Sequence, residues 1–143
     1  MSLGTFGVVL KFAMELEAMG TAYYETATTI TQNQELKSIF ESRIIQGQRR
    51  IQTLMRVRRE NTTEMILEPI TGLSSQKYRP QTECPPGCPD DQLIQLALTM
   101  ENQIQQFYID AAEKISFLSE AADIFERLAE ENANNKKRLQ SSS

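Results

Sequence analysis

Two glutamates, Glu17 and Glu101, have the sequence setting of buried carboxylates. Each interrupts a series of small and apolar residues spaced alternately three and four positions apart, and each precedes a tyrosine, Tyr24 or Tyr108, by seven residues. A carboxylate on the apolar face of a helix is costly to bury unless a cation pairs with it or a metal binds it. The sequence therefore predicts a buried ion-pair network or a metal centre at these two positions.

Polar residues also interrupt two further apolar series, which begin at Phe40 and Phe125. In an antiparallel pair of helices, two residues lie side by side when their numbers add up to the same total. If Tyr24 packs beside Phe40, then Glu17 lies beside Gly47. If Tyr108 packs beside Phe125, then Glu101 lies beside Asn132. We expect a polar layer halfway along the helices, supported by Arg43 and the two tyrosines. Its predicted members are Glu17, Gly47, Arg50, Glu101, Asn132 and Asn135.

Four helices are predicted to position this layer. All five prolines lie between residues 69 and 89, and the stretches on either side have apolar residues at helical spacing. We predict helices over residues 5–29, 33–65, 89–116 and 119–140, with a crossover over residues 66–88. Thr31 with Gln34 and, separately, Ser119 are the predicted start signals of the second and fourth helices. The predicted fold is all-α, one four-helix bundle domain over residues 1–143, made of two antiparallel hairpins.

The two predicted hairpins repeat one pattern. Glu17 and Tyr24 of the first helix recur 84 residues later as Glu101 and Tyr108 of the third. The series that begins at Phe40 recurs with an offset of 85 residues. A duplicated helical hairpin is the simplest account of this register.

These motifs resemble the rubrerythrin-type branch of the ferritin-like superfamily, over nearly the whole chain. The resemblance rests on the two segments that run from a glutamate to a tyrosine, and on the segments that begin Phe40-Glu-Ser-Arg and Phe125-Glu-Arg-Leu. In that family the first and third helices each supply one glutamate and the other two each supply Glu-x-x-His, which together hold a di-iron centre.

The sequence departs from this ligand set at four of the six implied positions. Glu17 and Glu101 match, but the Glu-x-x-His positions are Gly47 with Arg50 and Asn132 with Asn135. The peroxidase or ferroxidase activity of the family is therefore not carried over. The chain also contains no histidine, which excludes histidine-ligated metals and imidazole acid–base catalysis within it.

A metal-free network is the favoured interpretation of the layer. We expect Arg50 to lie between Glu17 and Glu101 and to satisfy both carboxylates, while Arg43 brings the layer to two positive and two negative charges. The two asparagines offer amide donors to the same oxygens, and the tyrosines should each donate a hydrogen bond to the layer. Two alternatives stay open: the glutamates are partly exposed and solvated, or they keep a residual metal site that Glu130 or Glu131 completes.

Composition limits the other functions. The net charge is −4, which argues against nucleic acid as a partner, and no apolar run is long enough to cross a membrane. The first twenty residues lack the basic start of a secretory signal, and two cysteines cannot form a multi-disulfide scaffold. We therefore expect a cytoplasmic protein.

Two smaller features leave alternatives open. Cys84 and Cys88 are predicted to be surface thiols in a turn, with a local disulfide or a four-cysteine metal site across a dimer as alternatives. An arginine-rich run has no acidic residue between positions 42 and 59. Its outward-facing members should pair with acids of the fourth helix, or else bind an acidic partner or a nucleotide-like anion. The residues of this proposed pairing are Arg49, Arg56 and Arg59 with Glu126, Glu130 and Glu131.

The first helix is apolar around much of its circumference, including Phe6, Val8, Val9 and Phe12, which favours burial against a second copy in a homodimer. Taken together, the sequence predicts a non-catalytic bundle without a cofactor, acting as a structural or regulatory module with a redox system as candidate partner. The alternative is a di-iron type oxidoreductase using Glu17, Glu101 and iron. A third possibility is a bundle whose core, widened at Gly20 and Gly47, holds a small ligand.

Overall fold

Four long α-helices account for most of the computed structural model, which describes residues 3–61, 69–81, 83–85 and 87–142. They are α1 (Phe6–Ile30), α2 (Gln34–Glu60), α3 (Asp90–Lys114) and α4 (Ser119–Ser141), with a 3₁₀ helix (Ser75–Lys77) between α2 and α3. α1 packs along α2 and α3 packs along α4, and the two hairpins meet through α1 against α3 and α2 against α4. The predicted all-α bundle of two hairpins is confirmed.

The helix starts differ locally from the predicted signals. Asn33, not Thr31, caps α2, and its side-chain oxygen accepts a hydrogen bond from the backbone N–H of Leu36 at 3.1 Å. The Thr31 hydroxyl instead donates to Asp90 at 2.7 Å, which ties the first joint to the start of α3. α4 begins after Leu118 without a side-chain cap, so the predicted capping role of Ser119 is wrong.

α2 is shorter than predicted. It ends at Glu60, and Asn61 terminates it by donating its side-chain amide to the Val57 carbonyl at 2.8 Å. The prediction extended this helix to residue 65, and residues 62–65 lie outside the described part of the chain. Because asparagine readily satisfies its own backbone in place of a helical bond, it stops a helix that apolar spacing alone would continue.

The crossover covers the outer face of α1. The N–H of Leu3 donates to the Leu73 carbonyl and the N–H of Ile70 donates to the Gly4 carbonyl, both at 3.0 Å. Ile70, Leu73 and Tyr78 are buried, and Tyr78 contacts α3, where its hydroxyl donates to Asp110 at 2.6 Å. Arg79 lies over the Phe12 ring at 5.2 Å and pairs with Glu15, so residues 69–81 pack on the first helix.

This packing removes the reason for expecting a dimer through α1. Phe6, Val9 and Phe12 are at most 3% exposed within the single chain, and Val8 alone of the four predicted residues is exposed, at 39%. Their apolar surface is used by the crossover and by Phe107, whose ring lies 5.3 Å from that of Phe12. The premise was wrong because the sequence pattern does not show that the crossover would pack here.

None of the helices in the described ranges is long and apolar enough to span a bilayer.

Candidate functional site

Polar side chains from all four helices meet in one layer inside the bundle. The residues that carry them occupy inward-facing positions of the helices: the two on α2 are two turns apart, and the two on α4 are about one turn apart. Each is at most 5% exposed, so the alternative of solvated glutamates is wrong. The layer consists of Glu17 from α1, Arg43 and Arg50 from α2, Glu101 from α3, and Asn132 and Asn135 from α4.

Arg50 donates five hydrogen bonds, which is the full capacity of a guanidinium. Its Nη1 lies 3.1 Å from Glu17 Oε2 and 3.1 Å from Asn132 Oδ1. Its Nη2 donates to the Leu128 carbonyl at 2.9 Å and to Glu131 at 3.1 Å, and Nε reaches the same Glu131 oxygen at 3.3 Å. This guanidinium is therefore fully satisfied although it is 2% exposed.

Glu101 accepts hydrogen bonds on both carboxylate oxygens. Oε2 accepts from Arg43 Nε at 2.8 Å and from the Tyr24 hydroxyl at 2.6 Å, and Arg43 Nη2 lies 2.8 Å away. Oε1 accepts from the side-chain amides of Asn132 at 2.7 Å and Asn135 at 3.3 Å. Charged and neutral donors thus surround a carboxylate that has no access to water.

The arginines divide the two carboxylates between them. Arg50 pairs with Glu17, and Arg43 pairs with Glu101. The expectation that Arg50 bridges both glutamates is wrong, because Asn132 and the Leu128 carbonyl occupy the other side of its guanidinium. The predicted balance of two guanidiniums and two carboxylates is present in the structure.

The two tyrosines connect the hairpins crosswise. Tyr24 of the first hairpin donates to Glu101 of the second, at 2.6 Å, and Tyr108 of the second donates to Glu17 of the first, at 2.5 Å. Burial and the neighbouring carboxylates raise the pKa of both phenols well above the ordinary tyrosine value. Both therefore stay protonated and act as hydrogen-bond donors at neutral pH.

Electrostatic interactions in the layer favour the charged forms of Glu101, Arg50 and Arg43. Burial alone would raise the pKa of Glu101, but Arg43 and the Tyr24 hydroxyl outweigh burial and lower it. Burial likewise opposes the charge of Arg50, but the neighbouring carboxylates, Glu17 foremost, raise its pKa above the ordinary arginine value. The pKa of Arg43 is raised in the same way by Glu101. For Arg43, Arg50 and Glu101, the attraction to neighbouring groups thus exceeds the effect of desolvation.

Gly47 leaves a space that another residue fills. A Cβ atom at this position would lie 2.3 Å from the Thr21 hydroxyl oxygen, so a side chain there requires Thr21 to move. That hydroxyl is buried and has no hydrogen-bond partner among the described residues. At Gly20, the neighbouring atoms of Met100 and Ile104 lie within 3.9 Å of where a Cβ would stand. The predicted widening of the core at these glycines is therefore wrong.

The chemistry of the layer does not fit a di-iron centre. Glu17 and Glu101 direct oxygens at guanidiniums, which repel a cation, and Gly47 cannot supply a ligand. The asparagines direct amide N–H groups, not lone pairs, at Glu101. Across the described ranges, no three histidine, cysteine, aspartate or glutamate side chains are grouped as metal ligands. Glu131 does reach inward, as one sequence alternative required, but it pairs with Arg50.

Sequence analysis missed one contributor to the layer, Gln46, and one neighbour that packs against Gly47, Thr21. Gln46 accepts hydrogen bonds from Arg43 Nη1 and, at 2.8 Å, from Asn135. Its position three residues after Arg43 on one helix was the available signal. Thr21 was missed because a hydroxyl at a helix–helix contact has no distinctive spacing.

The cysteine turn differs from its predicted character in one respect. Cys84 is half-buried, but Cys88 is only 5% exposed, so the second thiol is not at the surface. Both thiols are free, and burial together with a hydrogen bond to Cys88 raises the pKa of Cys84. The turn closes through the Cys88 N–H, which donates to Pro85 at 3.1 Å, and Gly87 has a positive φ of 76° that favours glycine.

Comparison with known proteins gives no relative: no protein-family model, no curated protein and no solved structure matches this chain. The resemblance to ferritin-like proteins therefore stays a prediction.

Proposed function

We propose that the protein is a metal-independent helical bundle of the ferritin-like type, in which an ion-pair network stands where a di-iron centre would be. In this proposal it is not an oxidoreductase but a structural or regulatory module. The observation that carries it is the position of Arg50, whose five hydrogen bonds join three helices at the level of the two surviving glutamates.

Three features support a scaffold over a reactive centre. Both oxygens of Glu101 already accept hydrogen bonds, so this carboxylate is not free to move a proton or bind a substrate. At the tyrosine end the layer is closed by the buried rings of Phe40 and Phe125, which contact Tyr24 and Tyr108. A satisfied polar network favours one register of helix packing over others that would leave charges unpaired.

A partner surface is part of the same proposal. A groove of about 610 Å³ runs between α3 and α4, and Ile109 on its wall is 45% exposed. We propose that the protein forms a homodimer, with a protein of a redox system as a further partner, and that it resides in the cytoplasm. The free thiols of Cys84 and Cys88 support a reducing compartment. Light scattering that gives the mass of one chain would contradict the dimer.

Iron binding tests the central proposal. Purified protein is incubated anaerobically with ferrous salt, desalted and analysed for bound iron, and then exposed to air while its visible spectrum is recorded. We expect far less than one ion per chain, no oxo-bridge band, and the same residual iron in Glu17→Gln. One or more ions per chain that Glu17→Gln removes would return the protein to the di-iron oxidoreductases.

A further inference from the structure

A second groove, of about 230 Å³, lies between α2 and α4 on the outer side of the buried layer. Four arginines line it: Arg49, Arg50 and Arg56 from α2, and Arg127 from α4. One acidic residue, Glu131, is also part of the lining. The groove therefore concentrates positive charge on a chain whose net charge is −4.

The positive charge of this groove is not neutralised within the described residues. Arg49, Arg56 and Arg127 are exposed, and none forms an ion pair with another described residue. Glu131 is occupied by Arg50, whose Nη2 lies 3.1 Å away.

The pairing that sequence analysis predicted between α2 and α4 is wrong for the exposed arginines. Glu126 and Glu130 line the α3–α4 groove on the other side of α4, away from α2. Arg59 likewise has no ion pair among the residues that the structure describes. The three exposed arginines of the groove are thus available to an anion from solution.

The geometry points to a ligand that arginines bind from two sides. Arg49 and Arg56 are seven residues apart, which places them on one face of α2 about 10 Å apart along the helix. Arg127 faces them from α4. Guanidiniums match the oxygens of phosphate groups by paired hydrogen bonds, and several guanidiniums favour a multiply charged anion. The volume is below the range of about 300–1,000 Å³ that is typical of drug-sized ligands.

We propose that this groove binds a small phosphate anion of the diphosphate class, free or at the end of a small molecule. This site does not depend on the proposed function, because the exposed arginines are the ones free to bind the anion. Arg50 of the buried layer also lines the groove, but its five donors are already used. Glu131 connects the two: its Oε1 accepts hydrogen bonds from Arg50 at 3.1 and 3.3 Å, and it also repels an anion in the groove.

Calorimetric titration with pyrophosphate at low ionic strength tests the site, with Arg56→Gln and Arg127→Gln as groove variants. The matched control is Arg58→Gln, which removes the same charge from an exposed position of α2 that does not line the groove. We expect each groove variant to weaken binding by roughly threefold or more, and the control to change it by less. No saturable binding, or equal weakening by Arg58→Gln, would overturn the proposal.

Glu131 gives a test of opposite sign. Glu131→Gln removes the one acid of the groove and should tighten pyrophosphate binding, whereas Glu130→Gln removes an acid from the other side of α4 and should leave it nearly unchanged. If both variants bind pyrophosphate more tightly to the same extent, the effect comes from the overall charge of the protein, and the proposal of a site in this groove is overturned. Orthophosphate and a nucleoside diphosphate complete the series: similar affinities for pyrophosphate and the nucleotide support recognition of the diphosphate, and binding of the nucleotide alone contradicts it.

Discussion

Replacement of Arg50 by methionine is expected to destabilise the fold by about 3–5 kcal/mol, because it leaves a buried carboxylate without its cation. Methionine fills a similar volume but donates no hydrogen bond. Glu17, which is 1% exposed, would keep only the Tyr108 hydroxyl as a donor among its described contacts. The Leu128 carbonyl and the Asn132 side-chain oxygen would also lose a donor each.

Urea unfolding followed by circular dichroism measures this cost as a change in the free energy of unfolding. A domain of ordinary stability, about 5–15 kcal/mol, can be largely lost by such a change, so Arg50→Lys is measured as well. Lysine keeps the charge but has three donors on one nitrogen, and it should be intermediate. The matched control is Arg49→Met at the neighbouring exposed position, which we expect to stay within about 0.5 kcal/mol of wild type.

The double variant Glu17→Gln/Arg50→Met separates stranded charge from lost packing. Removal of both charges spares the cost of an unpaired carboxylate, so the double variant should be more stable than Arg50→Met alone. The reasoning is refuted if Arg50→Met costs less than about 1 kcal/mol, or if the double variant loses the sum of the two single changes.

Two further predictions concern the same layer. Because the pKa of Glu101 is lowered in the folded protein, its contribution to stability is present above the ordinary glutamate value of 4.5 and lost as the pH falls through the lowered value. Urea unfolding at a series of acidic pH values should show this loss in wild type and in the exposed control Glu126→Gln, but not in Glu101→Gln. The same dependence of the free energy of unfolding on pH in all three proteins would contradict the prediction. Gly47→Ala should lower the free energy of unfolding by about 1–3 kcal/mol, because the added methyl group meets the Thr21 hydroxyl. In thermal unfolding, the double variant Thr21→Ala/Gly47→Ala should regain this stability and gain up to about 1 kcal/mol more from the higher helix propensity of alanine. Failure of Thr21→Ala to rescue would place the strain elsewhere.

The sequence was sufficient for the helices because their apolar spacing is long and regular. The predicted bounds of α1, α3 and α4 differ from those of the structure by at most two residues. α2 was predicted too long, since Asn61 ends it against the apolar pattern that continues beyond. The position of the crossover on α1 was not predictable, because contacts such as that between Leu3 and Leu73 join segments distant in the sequence.

Most members of the polar layer were predictable, with Gln46 as the exception, but their pairing was not. Antiparallel register places Glu17 level with Gly47 whatever the side chains do, so helical spacing was enough to group the residues. The choice of partner depends on reach and competition. Arg50 pairs with Glu17 because the side chain of Asn132 occupies the position beside Glu101. Helical spacing alone does not predict which of two side chains occupies such a position.

The two repeated hairpins supply equal numbers of carboxylates to the layer. They differ in the cations and amide donors that surround these carboxylates. Each hairpin supplies one glutamate and one tyrosine, but both guanidiniums come from α2 and both amides from α4. Arg50 and Asn135 occupy equivalent positions of the repeat, 85 residues apart. A second arginine in place of Asn135 would add a third cation to a balanced set of four charges, and a second asparagine in place of Arg50 would leave Glu17 unpaired. The balance of these four charges therefore requires the two halves to differ, and one of the two ion pairs, Arg43 with Glu101, joins the first hairpin to the second.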